Sequence, residues 1–200
     1  MKKTIFTLAI LFTSLMNAQD LRFGAKGGLN LADISAEISS SSRSISIDTD
    51  GKTSFYIGGF VEFSTKIDRL LVEAGLYYFG NGTKSTSTLV GGDFNGTLSI
   101  DQLNLPVLAK YEIIENLYVK GGMYLGYILG AETKDKRGVT TDAKDNFGNF
   151  DLGMSIGAEY NLENGLFIDA GYMLGLLNIA DEENVTIKNR SLLLGIGYKF

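Results

Sequence analysis

Ten ionisable side chains stand at alternate positions along stretches of this chain, five of each sign: Arg22, Lys26, Lys110, Lys120 and Lys199 against Glu62, Glu73, Asp151, Glu159 and Asp169. Ammonium groups and carboxylates in such a set can exchange protons, line an ion path, or neutralise one another in an enclosed core. The rest of the residue inventory narrows the choice. The chain has no His and no Cys, which removes Ser-His-Asp and Cys-His mechanisms and any imidazole- or thiolate-ligated metal. No catalytic, cofactor-binding or metal-binding residue is therefore expected, and the chain reads as a non-enzyme. Balanced signs favour mutual neutralisation over a path for one kind of ion, because buried charges need partners. Asp181, Glu182 and Glu183 could attract a divalent cation, but three adjacent acids read better as a solvated loop. The net charge of −5, with no basic block, argues against nucleic acid as a partner.

The elements that carry these residues begin after an export signal. Lys2 and Lys3 precede an apolar run from Ile5 to Phe12, and the small and polar residues Ser14, Asn17 and Ala18 follow. That order is the charged, apolar, small-residue order of a secretory signal, with cleavage expected after Ala18. The run is far shorter than the roughly 20 apolar residues a membrane helix requires. The expected organisation is a signal peptide over 1–18 and one domain over 19–200.

From residue 21 onward, eight windows alternate apolar and polar residues with period two: 21–31, 54–64, 70–79, 102–111, 117–129, 150–160, 166–176 and 190–200. Each approaches the roughly ten residues of a tilted transmembrane strand. Alternation does not say which face is outside; glycine does. The polar register holds Gly24, Gly28, Gly58, Gly75, Gly122, Gly126, Gly153, Gly157, Gly171, Gly175, Gly195 and Gly197, whereas the apolar register holds only Gly27, Gly59 and Gly121. An eight-stranded barrel has little interior volume, so small residues belong inside and the apolar face belongs outside, against lipid. Arg190 is the one charge on the apolar register, at a window end where the rim is expected. Aromatic residues of that register gather in two sets, Phe23, Phe63, Tyr111, Tyr160, Tyr198 and Phe200 toward one end, and Phe55, Tyr78, Tyr127, Phe150 and Tyr172 toward the other. Two interfacial girdles would look like this.

The connections alternate as well. Those at 65–69, 112–116 and 161–165 are short, and those at 32–53, 80–101, 130–149 and 177–189 are long. Short periplasmic turns and long outer loops give that pattern, with both termini at the turn end. Two Asn-Gly-Thr triplets, 81–83 and 95–97, read as turns.

Two motifs carry a family resemblance. The chain ends Gly195-Ile-Gly-Tyr198-Lys-Phe200, similar to the terminal signal read by barrel-insertion machinery, with Gly195, Tyr198 and Phe200 at the matching places. Leu103-Asn-Leu-Pro106-Val-Leu-Ala-Lys110-Tyr111 resembles the IPLLLKY segment of the PorT-like outer-membrane β-barrel family, and Phe23 to Leu31 resembles that family's first strand. The resemblance implies a small OmpA-type barrel of the broad porin family in the bacterial outer membrane. Its partners would be outer-membrane lipid, the insertion machinery during biogenesis, and an extracellular or envelope protein reached through the loops. It transfers no functional residue.

The sequence therefore leads to an all-β, eight-stranded, antiparallel up-and-down transmembrane barrel. Its function reads as structural or interactive, with a salt-bridged interior and four long extracellular loops. A narrow pore through the charged interior is the first alternative, and a soluble lipocalin-like barrel the lesser one.

Overall fold

A segment whose two faces meet different media must be extended, since only a strand puts successive side chains on opposite sides. The computed structural model describes residues 21–40, 43–47, 50–89, 92–135, 137–181 and 185–200; the expected signal segment and the pair Glu182–Glu183 lie outside the described residues. The strands are β1 (Leu21–Ser40), β2 (Arg43–Ile47), β3 (Asp50–Ser64), β4 (Leu70–Leu89), β5 (Gly92–Ile114), β6 (Leu117–Asp135), β7 (Thr140–Asp142), β8 (Phe150–Asn161), β9 (Leu166–Gly175) and β10 (Val185–Lys199). Eight of them form the wall, each pairing antiparallel with its neighbours, and β10 pairs back onto β1 from Gly24↔Lys199 to Ile38↔Val185. The result is a closed up-and-down barrel with no free edge around its girth. The Phe200 N–H donates to the Phe23 carbonyl at 2.8 Å and completes the closure. The short strands β2 and β7 pair with the far ends of β1 and β6.

Burial is inverted relative to a water-soluble protein. Ile156 is 67% exposed and Ile57 58%, whereas Lys110 and Asp151 are fully buried. An outer face of exposed Leu, Ile, Val and Met around a polar core suits hydrocarbon and no other solvent. Both aromatic sets lie on this outer face. Phe55–Tyr78 and Tyr127–Phe150 pack ring to ring at 5.6 and 5.5 Å at the loop end, and Tyr198–Phe200 at 5.4 Å at the turn end.

Glycine divides between the faces as the narrow interior requires. A Cβ at Gly24 would stand 2.3 Å from the Phe60 ring, and one at Gly153 2.4 Å from Tyr124. The outward Gly59 and Gly121 have nothing nearer than 3.6 Å. Interior glycine therefore makes room for rings that cross the barrel. The short turns are made by residues with left-handed backbone, Arg69, Asn116, Asn164 and Gly165.

Three expectations are corrected, and Pro106 finds its explanation. The strands run well past several windows: β4 reaches Leu89, β5 begins at Gly92 and β6 reaches Asp135, so most of the expected loop 80–101 is a hairpin. Likewise β1 extends to Ser40 and β3 begins at Asp50, inside the expected loop 32–53. Both Asn-Gly-Thr triplets lie within β4 and β5 rather than in turns, and a Cβ on Gly82 would stand 2.1 Å from the Leu98 carbonyl oxygen. Finally, Pro106 is buried on the inner face, and the β4–β5 pairing skips Gly75–Leu76 opposite Leu105–Pro106 while the β5–β6 ladder continues through it. The missing N–H is tolerated because that one stretch is unpaired.

Candidate functional site, the filled barrel interior

The inward side chains form four successive layers. Nearest the turn end is an ionic layer of four lysines and four carboxylates. Lys110 bridges Glu62 at 2.6 Å and also pairs with Glu159. Lys199 reaches the same two acids at 3.3 and 2.8 Å. Lys120 pairs with Asp169 and lies 3.5 Å from Glu159. Lys26 holds Glu73 at 2.8 Å and lies 3.9 Å from Asp169. Every member contacts an opposite charge, and the layer sums to zero. Desolvating eight charges is tolerable only under that condition.

Two of the ten expected network residues are elsewhere. Arg22 occupies the inner register at the start of β1 but is exposed at the barrel mouth, outside the cluster. Asp151 is fully buried at the opposite end of the interior, with neutral partners. The period of a strand fixes which face a residue takes; it does not fix the residue's height in a tilted barrel.

The alternating pattern concealed a cluster of inward rings: Tyr56, Tyr77, Phe79 and Tyr124, with Met173 and Leu193, lie above the ions, while Phe60 and Phe167 stand at the level of the ions. Tyr56 and Phe79 stack at 5.2 Å, and Phe60 meets Phe167 edge-on at 5.7 Å. The ammonium groups face these rings, Lys26 at 5.1 Å from Tyr77 and Lys199 at 5.3 Å from Phe167, so the rings complete the solvation of the ions. The signal was present in the sequence, since Tyr56, Tyr77, Phe79 and Phe167 stand on the polar register, each near an inward glycine on its own or an adjoining strand. Between these two layers is a cavity of about 30 Å³ lined by Lys26, Lys120 and Asp169 together with Tyr56, Tyr77 and Leu108.

The third layer is made of amides. Asn30 donates to Asn81 at 2.8 Å, Asn81 to Gln102 at 2.9 Å, and Gln102 to Asp151 at 3.2 Å. Asn189 and Tyr124 also donate to Asp151, at 2.9 and 3.2 Å. The fourth layer is an apolar, mostly aliphatic cap of Ile34, Ile100, Ile128, Ala131, Ala143, Phe147 and Ile179. It joins two connections expected to be separate loops: Gly148 N–H donates to the Ile179 carbonyl at 3.0 Å, and Asp181 N–H to the Asn146 carbonyl at 3.1 Å. Among the described residues, no group of acids is arranged to hold a metal in the manner of a multi-carboxylate site.

A closed barrel with a lipid-type outer face and a neutralised polar core is the architecture of an integral outer-membrane protein. The chain belongs to the outer membrane protein beta-barrel domain family, whose model matches residues 17–181. No curated protein matches it. Among solved structures, Neisserial surface protein A (NspA) is similar at 16% identity over 90% of this chain and 97% of that one, with a TM-score of 0.53. Ail, the attachment invasion locus protein of Yersinia pestis, in complex with the heparin analogue sucrose octasulfate, is similar at 16% identity over 91% of this chain and 100% of that one, TM-score 0.52. A major outer membrane protein from Thermus thermophilus is similar at 13% identity over 91% and 100%, TM-score 0.52. The protein is thus a small barrel of the bacterial outer membrane, which sets aside the soluble lipocalin-like alternative; at these identities the likeness to the solved structures extends to the fold alone.

Proposed function

We propose that the protein is a sealed barrel that anchors a rim of strand extensions and capped loops at the cell surface, and that it acts there as a structural or interaction protein. One observation carries this reading: the interior is filled from end to end by the ionic, aromatic, amide and aliphatic layers. A pore needs a continuous wet path, and the space between the ionic residues and the rings above them holds about 30 Å³, on the order of one water molecule. The chemistry left to the molecule is at its loop end, where β4–β5 and β6–β7 stand beyond the apolar belt. The complex of Ail with a sulfated sugar analogue supports surface binding as a use of this architecture.

Delivery follows from the same reading. Residues 1–18 direct export, and Gly195, Tyr198 and Phe200 serve insertion. Tyr198 and Phe200 are exposed on the lipid face. Gly195 has an interior reason as well, since its Cβ would stand 2.1 Å from the Tyr56 hydroxyl. The test is cross-linking on intact cells, followed by capture of the wild-type barrel and of a variant with residues 84–97 replaced by a two-residue turn. A surface partner captured by the first and lost by the second is the expected result. Identical captured sets would overturn an interaction role for this hairpin.

A further inference from the structure

We propose that Lys188 and Arg190 bind the phosphate headgroup of an outer-leaflet lipid, whose chains lie along the apolar face beneath them. Both cations stand on the lipid-facing side of β10. They alternate with Asn189 and Ser191, each only 4% exposed in the interior, so strand geometry turns 188 and 190 outward. Arg190 is exposed and Lys188 half-buried. The same outward row continues toward the turn end as Leu192, Leu194, Ile196 and Tyr198, all exposed. Two positive charges therefore crown one continuous apolar ridge.

Their height is that of a headgroup. Tyr172, of the loop-end aromatic set, pairs across the ladder with Leu192, and Leu174 pairs with Arg190. Arg190 is thus the first outward position of β10 beyond the aromatic level, and Lys188 the second. Aromatic belts mark the membrane–water interface, so both cations reach the zone of lipid phosphates. The turn end has no counterpart: the outward residues that end the strands there, from Leu21 and Phe63 to Tyr160 and Phe200, are uncharged. That asymmetry selects the outer leaflet.

The protein itself does not use up the pair. Asp33 and Ser35 of β1 stand opposite Arg190 and Lys188. Asp33 Oδ1 accepts from the Ile34 N–H at 2.8 Å, and among the described residues neither cation enters an ion pair. Two cations against one acid leave the patch positive. The arginine fork can hold two oxygens of one phosphate, and the lysine two residues along adds a point charge. Beside the ridge, Tyr172 and Leu174 on β9 and Leu31 on β1 are exposed and widen the apolar wall for a chain. A free phosphate would use the cations alone; a lipid uses the cations and the ridge together. The site depends on the membrane location and not on the surface hairpin.

The experiment is native mass spectrometry of the full barrel released from phosphatidylcholine nanodiscs doped with lipid A or with its dephosphorylated form. The wild type should retain the phosphorylated probe on the order of tenfold more than the dephosphorylated one, and should keep it in millimolar inorganic phosphate. Lys188→Gln combined with Arg190→Gln should abolish the preference, whereas Arg22→Gln, at the opposite mouth, should leave it intact. Equal retention of the two probes by the wild type would overturn the proposal, as would a preference that survives in the double variant. Displacement of the lipid by inorganic phosphate would assign a free-anion site and overturn it as well. Should the double variant fail to fold, Lys188→Gln alone decides: a reduced preference supports the site, and an unchanged one contradicts it.

Discussion

Lys110 shows what a single residue does here. Its ammonium sits between Glu62 and Glu159 with no exposed surface. Lys110→Met would leave two carboxylates short of a partner inside the barrel. A loss of about 3–5 kcal/mol is expected in urea unfolding from detergent micelles or vesicles. Arg22→Ala, at the exposed mouth, should change stability by less than about 0.5 kcal/mol in the same assay. Gly195→Ala should lower the folded yield sharply, because the added carbon meets the Tyr56 hydroxyl, while Gly59→Ala should fold as the parent does. Residue by residue, the sequence made the facing of these groups legible through period two, and the glycine split told inside from outside. It did not reveal that Asp151 stands alone among amides, because neighbours in the interior come from strands far apart in the chain: Lys110 and Glu159 are 49 positions apart.

The elements explain why strand ends were misplaced while strand identities held. Alternation marks where lipid meets the wall, and it stops where the lipid stops. The ladder continues further: β5 is 23 residues long, though its outward apolar run spans only Leu103 to Ile113. Beyond Asp101 the hairpin is held by backbone hydrogen bonds, which composition does not record. A bulge in β6 opposite Asp101–Gln102 falls at the same boundary, as bulges at barrel rims commonly do. The belt gives a sharp contrast for mutagenesis. Ile156→Arg, mid-belt and 67% exposed, should cost about 2–4 kcal/mol in vesicle refolding. Thr141→Arg on the exposed strand β7 should be neutral within about 0.5 kcal/mol.

The whole molecule is a wall turned inside out around a plug. Eight windows were enough to count the strands and close the barrel, because closure is the only way to satisfy every strand edge in hydrocarbon. The plug was half legible: its charges were visible, but its aromatic layer was masked by the label "polar register". The cap was not visible at all, since Phe147 and Ile179 meet only when two loops fold over the same mouth. A wall of this kind should migrate faster on a gel before boiling than after, as a folded barrel resists detergent. The central claim, that the interior is filled and the protein works at its rim, meets its most direct test in a planar bilayer. The purified barrel, inserted at high protein load in symmetric salt, should leave the baseline current unchanged. Reproducible stepwise openings would show a continuous path through the four layers and contradict the sealed interior.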